Sequence, residues 1–309
     1  MKRIYIAGAG GMLGAAFHER FRDGTDLRCT DIDINADWLE CLDFRDIDRY
    51  REDVRRFEPD ALFHLGAHTD LEYCETHPDD AYMTNCTAVE NAVYIANELH
   101  IPLLYISTAG IFDGAKEVYD DWDQPNPLGV YARAKRAGEE FVQLHAERYL
   151  ICRPGWMMGG GPAKDKKFVQ KILRQLRDGS TELHVVDDKS GTPTYTRDFA
   201  RNVQLLLARE WWGLYNMVCQ GMTSRLEVAR AIVEELGLAE AVSVKPVGSD
   251  YFAETYFAPR PDCERLVNRK LALRHLDVMR PWREALSEYL RADYAGYLEG
   301  GASSSSGAG

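Results

Sequence analysis

Tyr131 and Lys135 stand four residues apart in "VYARAKRAGEEF", a spacing that puts both side chains on one face of a helix. A tyrosine phenol is a poor acid or base near neutrality because its reference pKa is about 10, but a neighbouring ammonium favours the phenolate and brings it toward use. Such a pair can exchange a proton with a carbinol or carbonyl oxygen. Upstream, "PLLYIST" closes an apolar, strand-like run on two adjacent hydroxyls, Ser107 and Thr108. Open α/β sheets bind ligands at their carboxyl edge, so a hydroxyl there would hold a substrate oxygen next to the phenol. The four residues point to one active site.

A second constellation lies at the N-terminus. "IYIAGAGGMLGAAF" places Gly8, Gly11 and Gly14, with Met12 and Leu13 between them, directly after a strand pattern and at the opening of a helix pattern. Missing side chains let the backbone turn tightly and approach a pyrophosphate, and the helix N-terminus supplies N–H donors and partial positive charge. The next strand ends "RCTDID", which sets Asp31 about 20 residues beyond the loop, where a carboxylate accepts from the adenosine ribose hydroxyls and repels the extra phosphate of NADP. Asp33 competes for that role. The expectation is NAD(H) as preferred cofactor, with NADP(H) also admitted.

These groups need a frame, and the hydrophobic pattern supplies one. "RIYIAG", "DLRCTD", "DALFHLGA", "PLLYIST", "YLICRPGW" and "GLYNMVC" read as strands separated by helices, which predicts an α/β, Rossmann-like, doubly wound parallel sheet of more than five strands. After Trp156 the rhythm changes to a glycine-rich loop, a basic helix and later an irregular stretch near Arg260. We therefore expect a dinucleotide-binding domain over 1–155, rejoined by segments near 187–218, and a smaller, discontinuous C-terminal substrate-binding lobe mainly over 156–298. The Gly/Ser tail 299–309 has nothing to bury and reads as a flexible end.

Composition narrows the classes. With 309 residues and 45% hydrophobic content there is ample material for a core. A net charge of −12 argues against a nucleic-acid or anionic-membrane surface, either of which needs a concentrated basic face. Seven cysteines scattered without Cys-x-x-Cys spacing suit reduced thiols in the cytoplasm. The start is too brief for a signal peptide, and no run reaches membrane-span length.

The glycine loop, "IST" and the Tyr-x-x-x-Lys pair together resemble the extended short-chain dehydrogenase/reductases. "STAGIFDG", "RPGWMMG", "DDKSGTPTYTRDFA", "APRPDCERLVNRKL" and "WREALSEYL" resemble, in order, motifs of the dTDP-4-dehydrorhamnose reductases, so the likeness covers nearly the whole chain. It implies a sugar-nucleotide 4-ketoreductase of the dTDP-rhamnose type, in which Tyr131 donates the proton, Lys135 tunes it and holds the nicotinamide ribose, and Thr108 polarises the keto oxygen. It further implies that Asp43 and Phe44 contact adenine, that Gly66 and Ala67 pass beneath the cofactor, and that Trp156 packs on the sugar nucleotide. Lys167, in the basic run Lys164, Lys166 and Lys167, and Arg260 are the expected cations on the substrate side. A nucleotide sugar is the expected partner, with a homodimer as the assembly considered.

One departure stands out: where that family has Asp-Tyr after the threonine, this chain has Ala109 and Gly110. Two other functions share the scaffold, a sugar-nucleotide epimerase that retains its NAD and a non-catalytic, nucleotide-binding regulatory subunit. His64, His68, Cys74 and His77 offer metal-ligating side chains, but His64 and His68 lie at the end of a strand pattern, where four residues span about 13 Å, too far for one zinc ion, so no metal site is expected. The acidic run Asp120, Asp121 and Asp123 reads as a solvated loop.

Overall fold

The computed structural model describes residues 1–298, so the Gly/Ser tail lies outside the described residues. The first half runs β1 (Arg3–Ala7), α1 (Met12–Phe21), β2 (Asp26–Asp31), β3 (Leu39–Cys41), α2 (Ile47–Phe57), β4 (Ala61–His64), α3 (Leu71–Thr76), α4 (Pro78–Tyr82), α5 (Ala88–Glu98), β5 (Leu103–Ile106) and α6 (Val130–His145). Then follow β6 (Tyr149–Arg153), β7 (Trp156–Met158), α7 (Gly161–Lys164), α8 (Phe168–Arg177), β8 (Glu182–Val186), β9 (Ser190–Gly191), β10 (Pro193–Tyr195), α9 (Thr196–Ala208) and β11 (Gly213–Asn216). The chain continues with β12 (Thr223–Ser224), α10 (Arg225–Glu235), β13 (Ser243–Val247), β14 (Cys263–Glu264), α11 (Arg269–Leu273) and α12 (Trp282–Asp293).

Seven strands form one parallel sheet in the order β11-β6-β5-β4-β1-β2-β3. Parallel strands covered on both faces read as continuous apolar runs, and Ile4 to Ala7 of β1 are all buried. Alternate residues serve opposite layers. Ile4 and Ile6 pack with Phe17 of α1 and Phe199 of α9, whereas Tyr5 and Ala7 pack with Tyr50 of α2, Ala92 of α5 and Val142 of α6. The strand order turns back between β1 and β4, which makes the carboxyl edge there the ligand crevice.

The remaining strands make three small sheets: β10 with β7, β9 between β12 and β14, and β13 with β8. Their helices join the layer of α1, since Ile172 and Leu173 of α8, Val228 and Ile232 of α10, and Leu286 and Leu290 of α12 share its core. Strand β3 was not foreseen; three residues with only Leu39 buried give too little pattern to read. The acidic run also differs from expectation. Asp121 is buried, and its two carboxylate oxygens accept from the backbone N–H groups of Asn216 (2.7 Å) and Lys270 (2.9 Å), tying β11 to the start of α11. Among the described residues no helix is long and apolar enough to cross a membrane.

Candidate active site

Helix α6 begins without a capping side chain, because Gly129 occupies its N-cap. Glu75 of α3 substitutes, its Oε2 accepting from the Val130 N–H at 2.9 Å. Tyr131 therefore lies in the first turn, where the positive end of the helix favours an anion. Burial nevertheless pushes the phenol up to about 12, against the opposing effect of the Thr108 side chain that faces it, with smaller upward contributions from Cys74 and Glu264. Burial is the largest influence on the phenol in the folded chain, an effect that residue spacing alone does not reveal.

Lys135 lies one turn further in and is almost fully buried. Its ammonium sits 4.3 Å above the Tyr105 ring, and burial draws its pKa down to about 7, partly offset by Glu139. The helix is fixed at this point from the sheet, as the Tyr105 hydroxyl donates to the Lys135 carbonyl at 3.0 Å. One turn beyond, buried Glu139 accepts from Arg153 of β6, at 2.9 Å from Nε and 2.6 Å from Nη2, and from Arg136 at 2.7 Å.

Ser107 and Thr108 sit just past β5 rather than within it. Thr108 caps a 3₁₀ turn over Ala109–Ile111, its Oγ1 accepting from the Gly110 N–H at 3.1 Å. Ser107 turns inward and is buried, its N–H donating to the Cys152 carbonyl at 2.8 Å. Of the two hydroxyls, Thr108 is the one that shares space with Tyr131.

Across the sheet, the glycine loop is shaped by close backbone approach. Gly8 has φ of 75°, and a Cβ on it would fall 2.3 Å from Gly66 Cα; one on Gly14 would fall 2.1 Å from the Ala9 carbonyl oxygen. Gly11 begins α1 with no side-chain cap, and a Cβ there would meet nothing within 4 Å. Met12, Leu13 and Gly14 thus present first-turn N–H groups that no helical carbonyl satisfies. Gly66, with Ala67 after it, packs on the Phe44 ring, which would lie 2.1 Å from a Cβ at 66.

Asp31 accepts from the Gly10 N–H at 2.7 Å and from the Asp33 N–H at 2.9 Å, so its carboxylate borders the loop. Asp43 is gripped by Arg45 at 2.7 Å, and this hydrogen-bonded guanidinium holds its carboxyl below the usual range. Lys164, first of the three lysines of the basic run, closes α7 beside the glycine loop. It crosses from α7 to donate to the Gly10 carbonyl at 2.9 Å and also bonds Asn35.

On the lobe side, Trp156 donates from Nε1 to Glu264 Oε2 at 2.7 Å, and the Arg225 guanidinium stacks 3.7 Å from its ring centre. Burial lowers Arg225 to about 10, with Glu264 acting in the opposite direction. Arg260 pairs with Glu72 of α3, at 2.7 Å and 2.9 Å from its two terminal nitrogens, and Lys167 donates to Thr69 Oγ1 at 3.0 Å. Both contacts tie these later segments of the chain to the loop and helix that follow β4. Arg225 and the part played by Glu264 were not visible in the sequence. Arg225 stands in no motif, and Glu264 lies within the "APRPDCERLVNRKL" stretch without a residue type or spacing that marks it. The histidines separate: His64 is buried in the core, while His68, Tyr73 and His77 stack face to face at 4.3 Å and 4.1 Å. No group of three or more potential metal ligands is found among the described residues.

With this geometry in place, comparison with known proteins is informative. The pattern of the RmlD substrate binding domain matches residues 1–295. The dTDP-4-dehydrorhamnose reductase of Mycobacterium tuberculosis is 33% identical over 301 residues, covering 94% of this chain and 93% of the relative. The spore coat polysaccharide biosynthesis protein SpsK of Bacillus subtilis is 30% identical over 293 residues, covering 94% of this chain and 98% of its own length. A crystal structure of dTDP-4-dehydrorhamnose reductase from Bacillus anthracis in complex with NADP superimposes with a TM-score of 0.86 at 28% identity, over 94% of this chain and 99% of that one. The match over almost the full chain, together with the Tyr131–Lys135–Thr108 arrangement, establishes that this protein belongs to the RmlD substrate-binding-domain family.

Proposed function

We propose that this chain is an NAD(P)H-dependent reductase of the 4-keto group of a nucleotide-linked deoxysugar, as in dTDP-rhamnose synthesis. The observation that carries this reading is the facing pair Thr108 and Tyr131 at the carboxyl edge of the sheet, with buried Lys135 one turn behind the phenol. The glycine loop fits a dinucleotide: Gly11 leaves open space at an uncapped helix start, and Gly8 brings the loop onto Gly66. When bound, the nicotinamide supplies the hydride for the carbonyl carbon. Thr108 Oγ1 holds the carbonyl oxygen, and Tyr131 delivers the proton to it. A phenol raised to about 12 stays protonated at neutral pH, as a donor must. Lys135, drawn to about 7, stabilises the phenolate left behind when it carries its charge.

In this reading residues 1–155, with 187–218, form the dinucleotide half, and 156–298 mainly the substrate lobe. Trp156, Lys167 and Arg260 line the sugar-nucleotide side, and Asp43 and Phe44 border the adenine end. Asp31 favours NADH. Lys164 lies close enough to Asp31 and Asp33 for their charges to act on it, so a cation is at hand and NADPH is also accepted.

Following NADH and NADPH absorbance with a panel of nucleotide 4-keto-6-deoxysugars tests the reading. Oxidation of cofactor with at least one sugar is expected. Sugar isomerisation with no net oxidation would indicate an epimerase, and no reaction with any member would contradict the proposal.

A further inference from the structure

Ala109 and Gly110 leave the wall beside Thr108 without a polar side chain of its own. Another part of the chain reaches that wall. A Cβ built on Gly110 would stand 3.3 Å from Oε1 of Glu264 and 3.5 Å from Oγ1 of Thr108, so the carboxylate and the hydroxyl flank one point. Glu264 comes from β14, paired opposite Gly191 of β9. Gly191 in turn admits the Trp156 ring, which would lie 2.3 Å from a Cβ at that position. The carboxylate is thereby fixed at one end, Oε2 accepting from the Trp156 indole at 2.7 Å. Its other oxygen, Oε1, accepts no hydrogen bond from any described residue, although Glu264 is only partly exposed. Its charge is felt at Tyr131.

A carboxylate is an acceptor only, and an oxygen without a donor in a recessed site is poised for a donor brought by a ligand. We propose that Glu264 Oε1 accepts a hydrogen bond from the sugar hydroxyl adjacent to the carbonyl under reduction, making Glu264 the specificity-determining residue that serves where Ala109 and Gly110 cannot. The inference rests on the reductase reading. It follows that the protein discriminates between a 4-keto-6-deoxyhexose with its 3-hydroxyl and the 3-deoxy counterpart. A sugar carrying an anion at that position is excluded by like charge.

The test is kcat/KM for both sugar nucleotides with wild type and Glu264→Gln. The amide keeps an oxygen for the Trp156 indole while replacing the free acceptor with a donor. A charge-assisted hydrogen bond to substrate predicts a loss of about 10- to 100-fold for the hydroxylated sugar and less than about 3-fold for the 3-deoxy sugar, with NADPH affinity unchanged. Gly110→Ala, which places a methyl between Oε1 and Thr108, should reduce the same preference from the opposite wall. Equal losses for both sugars would assign Glu264 to supporting Trp156 and overturn the proposal, as would no loss for either. If wild type oxidises neither cofactor, the reductase reading fails by itself. Quenching of tryptophan fluorescence then decides the Glu264 question: tighter binding of the hydroxylated sugar that Glu264→Gln abolishes supports it, and equal affinities overturn it.

Discussion

Replacing Glu139 by Gln strikes the pair that joins α6 to β6, and its cost follows from burial. Glu139 is fully buried and Arg153 nearly so, and the carboxylate receives two hydrogen bonds from Arg153, at 2.9 Å and 2.6 Å, and one from Arg136 at 2.7 Å. Removing the anion leaves the Arg153 guanidinium desolvated and unneutralised, which costs about 3–5 kcal/mol. With an m-value of about 3 kcal/mol/M in urea, the unfolding midpoint should fall by about 1 M or more. Glu139 is also the charge that raises Lys135 against burial, so its loss lowers a lysine already near 7. The limb of kcat/KM that reports protonated Lys135 should move to lower pH. Urea melts followed by circular dichroism, with pH–rate profiles on the same samples, measure both effects. The double variant Glu139→Leu with Arg153→Met removes both charges and should recover most of the stability. A loss under about 1 kcal/mol in Glu139→Gln, or no recovery in the double variant, would refute the reasoning.

Further outcomes are expected. Tyr131→Phe should leave cofactor affinity nearly unchanged and lower turnover by about 10²-fold or more, whereas Lys135→Ala should weaken NADH binding as well; stopped-flow turnover and cofactor titration separate the two. Burial lowers His64 to about 3, so its native form binds fewer protons than the unfolded chain between about 3 and 6.5, and stability falls with falling pH across that window. At pH 5 this amounts to about 2 kcal/mol, which should vanish in the pH dependence of denaturant unfolding of His64→Phe. Asp31→Ala should narrow the preference for NADH over NADPH, and Lys164→Ala should widen it, as read from the two Kd values.

The parallel sheet was legible because its strands are short apolar runs punctuated by helical patterns, and the glycine loop because only glycine fits where Gly8 meets Gly66 and Gly14 meets Ala9. Tyr131, Lys135 and Thr108 were legible as residue types at the right spacing. Their electrostatics were not, since the sequence suggests the neighbouring ammonium but not the burial that pushes the phenol up and the lysine down. The basic run is equally opaque from composition: Lys164 ends α7 and donates to the Gly10 carbonyl, whereas Lys167 stands at the N-cap of α8 and donates to Thr69. Asp121 is indistinguishable from a solvated acid until two backbone N–H groups from distant segments converge on it. Glu264 was hidden for a related reason. It reaches the site on a two-residue strand, and its significance depends on what is missing at Gly110, more than a hundred residues away in the chain.

The central claim is that this chain transfers hydride to a sugar carbonyl and that Tyr131 supplies the accompanying proton. The most direct measurement uses nicotinamide cofactor deuterated at the transferred position, a nucleotide 4-keto-6-deoxysugar, and mass spectrometry and NMR of the product. Deuterium at C4 of the sugar, in step with cofactor oxidation and lost with Tyr131→Phe, is the predicted result. A product without label at C4, or label arriving equally fast with Tyr131→Phe, would contradict the account.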